Sequence, residues 1–452
     1  MMEKLNFYID CTDLIETNIN TGVQRVARNI LDFRFLAQQN LGITYQPVYY
    51  NTHYGFIKVP GHLKNDIRNS IGYLYSVLFC LSKFWQFKKL AKASIPFPKF
   101  QEWLDHRWKG TMRFLLMWPL LLIVSPIALI ALIHAMLIPL RNYWKPSKDD
   151  ILIIPGLSWW SLNLQNGLNE VKANMGHVVI IIYDLIPLTH PNFFTERLVK
   201  KFTSKLPVTT ANTSLLVAIS RTTENTLRQY LLGKPNKPVI AHFLLGADLD
   251  HINQKLHVRK KLKTLFSGKK QYLCVGTIEP RKNHILLLDA FDKIWEHNHE
   301  VNLCIIGRYG WKSEMLQERI NNHPLLYENL SWFRDLNDTE LAFCYKNAKA
   351  LIFPSIIEGF GLPLIEALHF GCPVMASDIP IFREIGNDRC SYFSHDTPDG
   401  LVSLIDHFER FEELPGVVQT EDFKWISWED SAMEFYKIIT EHFEKHENSS
   451  AH

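Results

Sequence analysis

The sequence predicts an α/β protein of two domains, each built around a mainly parallel sheet. The chain of 452 residues is long enough for two separate hydrophobic cores. Short apolar runs of β character alternate with helical segments, a pattern typical of parallel strands joined by crossover helices. A polar, lysine-rich stretch at residues 251–270 separates two such regions, and we interpret it as the linker between the domains.

The first domain is predicted to span residues 1–250, with a long insertion at about residues 60–148. Gly22 suits the turn before its first helix, and the alternation of strands and helices continues to about residue 241. Its clearest predicted elements lie on both sides of the insertion: strand 5–9, helix 23–37, strand 44–49, strand 151–154 and strand 178–183.

The second domain is predicted to span residues 262–426, and a terminal helical region follows at residues 427–445. Ser427 and Asp430 have the spacing of a capping box before an apolar-periodic helix at residues 431–443. The elements of the domain itself alternate along the chain: strand 271–275, helix 283–295, strand 301–306, helix 311–321, strand 331–333, helix 339–347 and strand 350–353.

Composition argues against several classes of function. The net charge is only +3, so nothing in the overall charge favours a nucleic-acid partner. The seven cysteines are scattered without a Cys-x-x-Cys pair, which predicts buried thiols in a reducing cytoplasm and argues against a zinc site. The apolar stretch near the N-terminus is too short for the core of a signal peptide.

The insertion contains a long apolar segment. Residues 114–140 are 27 residues without a formal charge, and as one helix they would extend about 40 Å, more than the roughly 30 Å of a hydrocarbon core. A helix that is apolar on every side is hard to bury in a soluble protein, so we predict contact with a membrane. The alternative is a pair of helices buried in the protein core.

Topology and charge restrict the form of that contact. If the strands before and after the insertion share one sheet, the number of membrane crossings must be even or zero. Pro126 divides the segment into halves of about 18 Å, and lysines and arginines flank it on both sides, so we predict a re-entrant or in-plane hairpin. A two-pass hairpin is the alternative. Several tryptophans suit an interfacial belt: Trp85, Trp103, Trp108, Trp118 and Trp144.

Two glutamates, Glu358 and Glu366, stand in a strand-to-helix unit of the second domain. The strand at residues 350–353 is followed by a Gly-Phe-Gly turn, and Pro363 and Gly371 suit the start and the end of the next helix. Free amides at a helix start suit an anion, whereas carboxylates suit sugar hydroxyls. We therefore predict a nucleotide-sugar site in preference to two merely exposed acids.

These residues resemble the donor-site signature of the family 4 glycosyltransferases, which are retaining enzymes of GT-B fold. The signature is Glu-x7-Glu, here Glu358 to Glu366. The resemblance implies two Rossmann-like domains that face a central crevice, with the terminal helix packed back on the first domain. It also implies that Glu358 meets the transferred sugar and that Glu366 holds the ribose hydroxyls. The loop residues implied to contact the diphosphate and the sugar are Gly359, Phe360, Gly361 and Leu362.

A basic pair, Arg281 and Lys282, lies between a predicted strand and a predicted helix of the second domain. Two cations at a helix start suit a diphosphate leaving group and would neutralise its charge without metal, although a solvated basic pair is the alternative. Lys282 matches the phosphate-binding lysine of the family. Thr277 stands where many members carry an arginine, and Arg281 is the candidate to replace it.

Three motifs in the first domain resemble donor or acceptor contacts of the same family. Gly22 matches the N-terminal glycine loop, with a plain turn as an equal alternative. Asp184 matches the aspartate of a His-Asp segment in which Tyr183 replaces the histidine, and its resemblance implies a role toward the sugar or the acceptor. Ser220 matches a serine-centred loop that contacts the donor. Asp184 and Ser220 are also plausible helix caps.

The resemblance implies a metal-independent, retaining glycosyltransferase without cofactors, with Glu358 and Asp184 as its catalytic residues. The motifs look most like those of bacterial enzymes that add mannose or related sugars to surface polysaccharides. GDP-mannose is therefore the expected donor, a lipid-linked glycan the expected acceptor, and the cytoplasmic face of the plasma membrane the expected location. Asp248 and Asp250 form an Asp-x-Asp pattern at the domain junction, which we interpret as a linker feature. The alternatives are a catalytically silent membrane-bound scaffold of the same fold and a GT-B nucleotide-sugar epimerase.

Overall fold

The computed structural model contains two α/β domains and a terminal helix. Among the residues that the structure describes, each domain has one sheet, and almost all neighbouring strands are parallel, as the alternation of strands and helices predicts. The residues that the structure describes are 5–16, 22–51, 55–59, 143–158, 164–235, 237–247, 257–267, 271–418 and 423–450.

The first domain is built on a seven-stranded sheet of order β3-β2-β1-β4-β5-β6-β7. Only the edge strand β3 runs antiparallel to its neighbour. The strands are β1 Asn6–Asp10, β2 Thr44–Asn51, β3 Gly55–Lys58, β4 Ile151–Ile154, β5 His177–Ile182, β6 Leu215–Ala218 and β7 Val239–His242. The helices of this domain are Thr12–Glu16, Gly22–Asp32, Arg34–Leu41, Gln165–Ala173, Ile186–Thr189, Glu196–Ala211 and Arg221–Leu231.

The first long helix differs from its prediction. A single helix was expected over residues 23–37, but the chain forms two helices, Gly22–Asp32 and Arg34–Leu41. Phe33 separates them because its backbone (φ −89°, ψ 5°) leaves the helical region. No proline or glycine stands near residue 33, so the sequence carries no local signal for this break.

The second domain is built on a six-stranded, fully parallel sheet of order β10-β9-β8-β11-β12-β13. Its central strands are buried on both faces, which explains their continuous apolar runs. The strands are β8 Gln271–Val275, β9 Asn302–Ile306, β10 Leu330–Phe333, β11 Ala350–Phe353, β12 Val374–Ser377 and β13 Ser391–Phe393. The helices are Lys260–Phe266, His284–Trp295, Glu314–Asn321, Asp338–Asn347, Leu362–His369, Pro380–Gly386 and Asp399–Phe411.

The terminal helix Trp428–Ser450 packs against the first domain. The capping box predicted at its start is confirmed: the Ser427 hydroxyl donates to the Asp430 carboxylate at 2.7 Å and accepts from the Asp430 amide at 3.0 Å. Further along the helix, the Tyr436 hydroxyl donates to the Ile30 carbonyl at 2.7 Å. This helix therefore connects the end of the second domain to the core of the first.

The predicted apolar hairpin at residues 114–140 lies outside the described residues, as do Asp248 and Asp250. The described residues closest to the insertion on its two sides pair with each other, because Ile57 of β3 forms an antiparallel bridge with Tyr143. No helix in the described ranges is both long enough and apolar enough to cross a bilayer.

Trp144 is not part of an interfacial belt, so that prediction is wrong for this residue. Its side chain is only 1% exposed and stacks on Tyr8 with the ring centroids 4.0 Å apart. The Trp144 amide donates to the Phe56 carbonyl at 2.9 Å. The unpredicted edge strand β3 brings residue 144 onto the sheet, where the indole is buried. The cysteines in the described part of the chain are buried free thiols, as predicted: Cys11, Cys274, Cys304, Cys344, Cys372 and Cys390.

Candidate active site

The loops that carry the predicted donor residues leave two neighbouring strands of the second sheet. Strands β8 and β11 are adjacent and parallel, so both end at the same edge. The loop after β8 contains the short 3₁₀ turn Pro280–Lys282. The loop after β11 contains Glu358 and the Gly-Phe-Gly segment at residues 359–361, called the glycine turn below. Sheet order therefore places the basic pair beside a glutamate that lies 77 positions from Arg281 in the sequence.

The glycine turn and its helix have the predicted local structure. Helix Leu362–His369 has Pro363 in its first turn, and Gly371 follows the helix with a φ of +71°. Gly361 has a φ of +123°, and a Cβ placed there would lie 2.9 Å from the Phe382 ring. Both the backbone conformation and the space at residue 361 therefore require glycine.

Glu358 is a buried carboxylate with two cationic partners. Its side chain is 8% exposed, one oxygen lies 2.5 Å from an Arg281 nitrogen, and the other contacts the Lys282 ammonium. The Ser355 hydroxyl donates to the same carboxylate at 2.8 Å. Burial alone would raise the pKa of Glu358, but the charges of Arg281 and Lys282 outweigh it and lower the pKa to about 2. Glu358 is therefore ionised at any physiological pH.

Arg281 is held between two carboxylates. One guanidinium nitrogen lies 2.6 Å from Glu279, and another lies 2.5 Å from Glu358 and donates to the Ile357 carbonyl at 3.3 Å. In this arrangement Arg281 orients Glu358 and balances its charge.

The Lys282 ammonium lies beside the backbone of Gly276. A Cβ built on Gly276 would lie 3.7 Å from the Lys282 nitrogen, so a group that approaches this glycine also approaches the cation.

Glu279 was not identified from the sequence. The Glu279 side chain is buried, and its Oε2 atom has no hydrogen-bond partner among the described residues. Burial raises the pKa of Glu279, and the positive charges of Arg281 and Lys282 only partly offset that rise. Its only signal in the sequence is its place within the Glu-Pro-Arg-Lys motif. Asp184, Glu279 and Glu358 all interact electrostatically with Arg281.

Glu366 joins the two domains across the crevice. One of its oxygens forms an ion pair with Arg25 of the first domain, and the other accepts a hydrogen bond from the Tyr345 hydroxyl at 2.9 Å. Arg25 also lies 3.5 Å from Asp338. Sequence reasoning missed Arg25 and Tyr345. For Arg25 a signal exists, because it stands three positions after Gly22 and so lies on the same face of the helix.

Asp184 lies opposite the glycine turn, at the carboxyl end of β5. It is partly buried, and one carboxylate oxygen accepts from the Ile186 amide at 2.9 Å. Burial raises the pKa of Asp184, whereas the charge of Arg281 opposes that shift. A Cβ on Gly359 would lie 3.0 Å from the Asp184 Cβ, so the two domains are in close contact here. The structure therefore brings Asp184 and Glu358, predicted as the catalytic pair, to one place from different domains.

The other first-domain candidates contact the second domain as well. Ser220 is fully buried, caps helix Arg221–Leu231 and donates to the Gly359 carbonyl at 3.0 Å. Gly22 begins its helix, and a Cβ there would lie 3.6 Å from a Leu362 methyl group. Tyr183 instead donates its hydroxyl to the Pro155 carbonyl at 2.5 Å, inside the first domain.

The site between the domains is charged and largely buried, and it holds two cationic side chains, Arg281 and Lys282, that an anion could approach. Lys282 and Arg281 offer positive charge, Glu366 offers acceptors for a diol, and helix Leu362–His369 begins four positions after Glu358 with the end that favours an anion. Within the described ranges, no group of three or more histidine, cysteine or acidic side chains has the arrangement of a metal site.

The sequence of the second domain matches a known family. The family model described as Glycosyl transferases group 1 matches residues 258–416, which contain the basic pair and both glutamates. The chain is 31% identical over 296 residues to the serotype-specific mannosyltransferase WbdA of Escherichia coli, covering 63% of this chain and 36% of that protein. It is 26% identical over 240 residues to the O-antigen chain mannosyltransferase RfbU of Salmonella typhimurium, covering 53% of this chain and 62% of that protein. The chain thus spans little more than a third of WbdA.

Two solved structures share the two-domain fold of this chain. Sucrose-phosphate synthase from Thermosynechococcus elongatus matches with a TM-score of 0.55 and 13% identity, covering 99% of each chain. HepE of Anabaena, solved in complex with UDP and glucose, matches with a TM-score of 0.51 and 11% identity, covering 99% of this chain and 100% of that one. The predicted GT-B-like fold of two parallel-sheet Rossmann-like domains is therefore confirmed.

Proposed function

Residues 258–416 form a glycosyl transferases group 1 domain, and on this basis we propose that the chain is a retaining mannosyltransferase of surface-polysaccharide synthesis. Its donor is GDP-mannose and its acceptor is a lipid-linked glycan. The observation that carries the proposal is the paired arrangement of Glu358 with Arg281 and Lys282 at the crevice, beside the buried carboxylate of Glu366. The mannosyltransferase names of the relatives support the choice of sugar.

Glu366 is proposed to bind the ribose. The Tyr345 hydroxyl fixes one carboxylate oxygen, and the other oxygen is paired with Arg25. A ribose diol that binds this carboxylate competes with Arg25, which has Asp338 as a second partner 3.5 Å away. When the nucleotide binds, the ribose replaces Arg25 as a partner of Glu366. Arg25 then still has Asp338 as a carboxylate partner.

The diphosphate is proposed to lie against Lys282 and the amides that begin helix Leu362–His369. As the bond between the sugar C1 and the β-phosphate oxygen breaks, negative charge grows on that oxygen, and the nearby ammonium stabilises it without metal. The acceptor hydroxyl forms the new bond to C1 on the same face, and its proton passes to the departing phosphate oxygen. Glu358, which stays ionised, stabilises the positive charge that develops on the sugar ring.

We also propose that the protein lies at the cytoplasmic face of the membrane, held by residues 114–140. The ends of the insertion restrict the form of this contact, because Ile57 and Tyr143 pair at one edge of the first sheet. A segment that leaves and returns at one place can contact the membrane in plane or cross it an even number of times. A monotopic or re-entrant hairpin meets this requirement and would keep the crevice near lipid-linked acceptors.

A panel of labelled nucleotide-sugars tests the reaction. Membranes that contain the full chain are incubated with each donor, and label is measured in the lipid extract and in the nucleotide fraction. We expect label from GDP-mannose in lipid, and none with the Lys282→Ala/Glu366→Ala double variant, because both nucleotide contacts are lost. Transfer that survives in the double variant would contradict the assigned site. Label that stays on the nucleotide with a changed sugar indicates an epimerase, and no turnover of any donor indicates a silent scaffold.

Deletion of residues 114–140 tests the membrane contact. The shortened chain is expected to leave the membrane pellet for the supernatant, because the apolar segment that would enter the bilayer is gone. The Lys282→Ala/Glu366→Ala variant keeps the insertion and should still pellet, so it serves as the control. A shortened chain that pellets as before would mean that another part of the protein holds it at the membrane.

A further inference from the structure

The start of helix Arg221–Leu231 is bound by a carboxylate of the other domain. Glu384, in helix Pro380–Gly386, accepts hydrogen bonds from the Arg221 amide at 2.8 Å and the Thr222 amide at 2.8 Å. The Thr222 hydroxyl donates to the same carboxylate at 2.5 Å. The first amides of a helix have no acceptor within the helix, and a negative charge is favoured at this end. Glu384 therefore caps a helix of the first domain from the second domain.

The same helix end also binds the glycine turn. The Gly359 carbonyl accepts from the Ser220 hydroxyl at 3.0 Å and from the Thr223 hydroxyl at 3.2 Å. Ser220 and Thr223 are both buried. Gly359 follows Glu358 directly in the chain, so these bonds fix the backbone next to the carboxylate that is proposed to act on the sugar.

Helix Pro380–Gly386 supports the glycine turn from within the second domain. Phe382 stacks on Phe353 with the ring centroids 4.7 Å apart, and a Cβ on Gly361 would lie 2.9 Å from the Phe382 ring. The glycine turn and the helix that carries Glu384 thus pack as one unit. One helix end of the first domain contacts both parts of that unit through five hydrogen bonds.

We propose that Glu384 is a positioning residue of the transfer reaction. Its hydrogen bonds to the amides of Arg221 and Thr222 hold the two domains together. In that arrangement the Gly359 carbonyl binds the first domain. Glu358 and Asp184 then face each other from opposite sides. Glu384 acts through Gly359 and does not touch the substrates. The catalytic part of this inference rests on the proposed mannosyltransferase function, whereas the contact between the domains does not.

Hydrogen exchange measures the contact itself, without any donor. In the full-length chain, Glu384→Ala is expected to speed exchange of the Arg221 and Thr222 amides at least about tenfold, because these amides lose their acceptor. Glu384→Gln keeps one acceptor oxygen and should give a smaller increase. Glu413→Ala, at an exposed glutamate of the same domain, is the matched control and should leave these amides unchanged. Unchanged exchange in Glu384→Ala would overturn the proposal.

Kinetics separate positioning from binding. For Glu384→Ala we expect kcat to fall about tenfold or more while the affinity for GDP falls less than about twofold, because both proposed nucleotide contacts, Glu366 and Lys282, belong to the second domain. Glu384→Gln, with an unfolding temperature close to that of the wild type, should recover part of kcat. An unchanged kcat, or a loss of GDP affinity as large as the loss of kcat, would overturn the positioning role. If hydrogen exchange behaves as expected but the wild type transfers no mannose, the proposed donor is wrong and the domain contact stands. The kcat comparison is then made with the donor that the nucleotide-sugar panel identifies.

Discussion

Glu358→Gln is expected to lower kcat for mannose transfer about 10²–10³-fold while the Kd for GDP changes little. The amide has nearly the shape of the carboxylate but no charge, so it cannot stabilise a positive sugar ring. Nucleotide contacts are proposed to come from Glu366 and Lys282, which remain. The measurements are the transfer rate from labelled GDP-mannose and the heat of GDP binding. A kcat within about threefold of the wild type would mean that Glu358 has no electrostatic role in the reaction.

The same variant has a predicted signature in stability against pH. The pKa of Glu358 in the folded chain is lowered to about 2 from its ordinary 4.5, so its contribution to stability is present above pH 4.5. That contribution is lost as the pH falls from 4.5 through about 2. Glu358→Gln leaves Lys282 and Arg281 each without one buried anionic partner, at a cost of about 3 kcal/mol in unfolding free energy. The difference between wild type and variant should stay constant from pH 8 to 5 and shrink below pH 4.5.

Gly359→Ala is expected to reduce transfer about 10²-fold by keeping the two domains apart. A Cβ at this position would lie less than 3.0 Å from the Tyr183 carbonyl oxygen, and backbone atoms cannot move aside as a flexible side chain can. The φ of Gly359 is not in the left-handed region, so alanine fits the local backbone. The second domain should therefore fold normally, and the defect should lie only in how it docks on the first.

Small-angle scattering and kinetics together test this expectation. The radius of gyration should increase and kcat should fall, while GDP binding and the unfolding temperature stay near wild-type values. Gly400→Ala is the matched control, because a Cβ there would meet other atoms only at 3.7 Å or more, in helix Asp399–Phe411. A Gly359→Ala chain with wild-type kcat would show that catalysis does not require this close approach of the domains.

Local structure around the donor motif was predictable because its signals are short-range. The strand at residues 350–353 matches β11, and Pro363 lies in the first turn of the following helix. The capping box at Ser427 and Asp430 forms as its spacing predicts. Each of these features depends on residues within a few positions of one another, so composition and spacing suffice.

Contacts between distant residues were not predictable in the same way. The sequence places Arg281 in a donor site, and only the structure shows that Glu279 and Glu358 are its partners. Trp144 was expected at a membrane surface, but it is buried on the sheet beside an edge strand that the sequence did not reveal. In each case the decisive neighbour belongs to another element, and no local pattern specifies which elements become neighbours.

The two-domain α/β class, the strand-to-helix units and the residue types that a nucleotide-sugar site requires all follow from the amino-acid sequence. The pairing of those residues follows from the folded arrangement of the elements. Parallel sheet order places β8 beside β11 and so joins Arg281 to Glu358, and domain closure joins Arg25 to Glu366 across 341 positions. Strand order and domain docking depend on the packing of whole apolar faces. That packing depends on the entire chain, and no short segment records it.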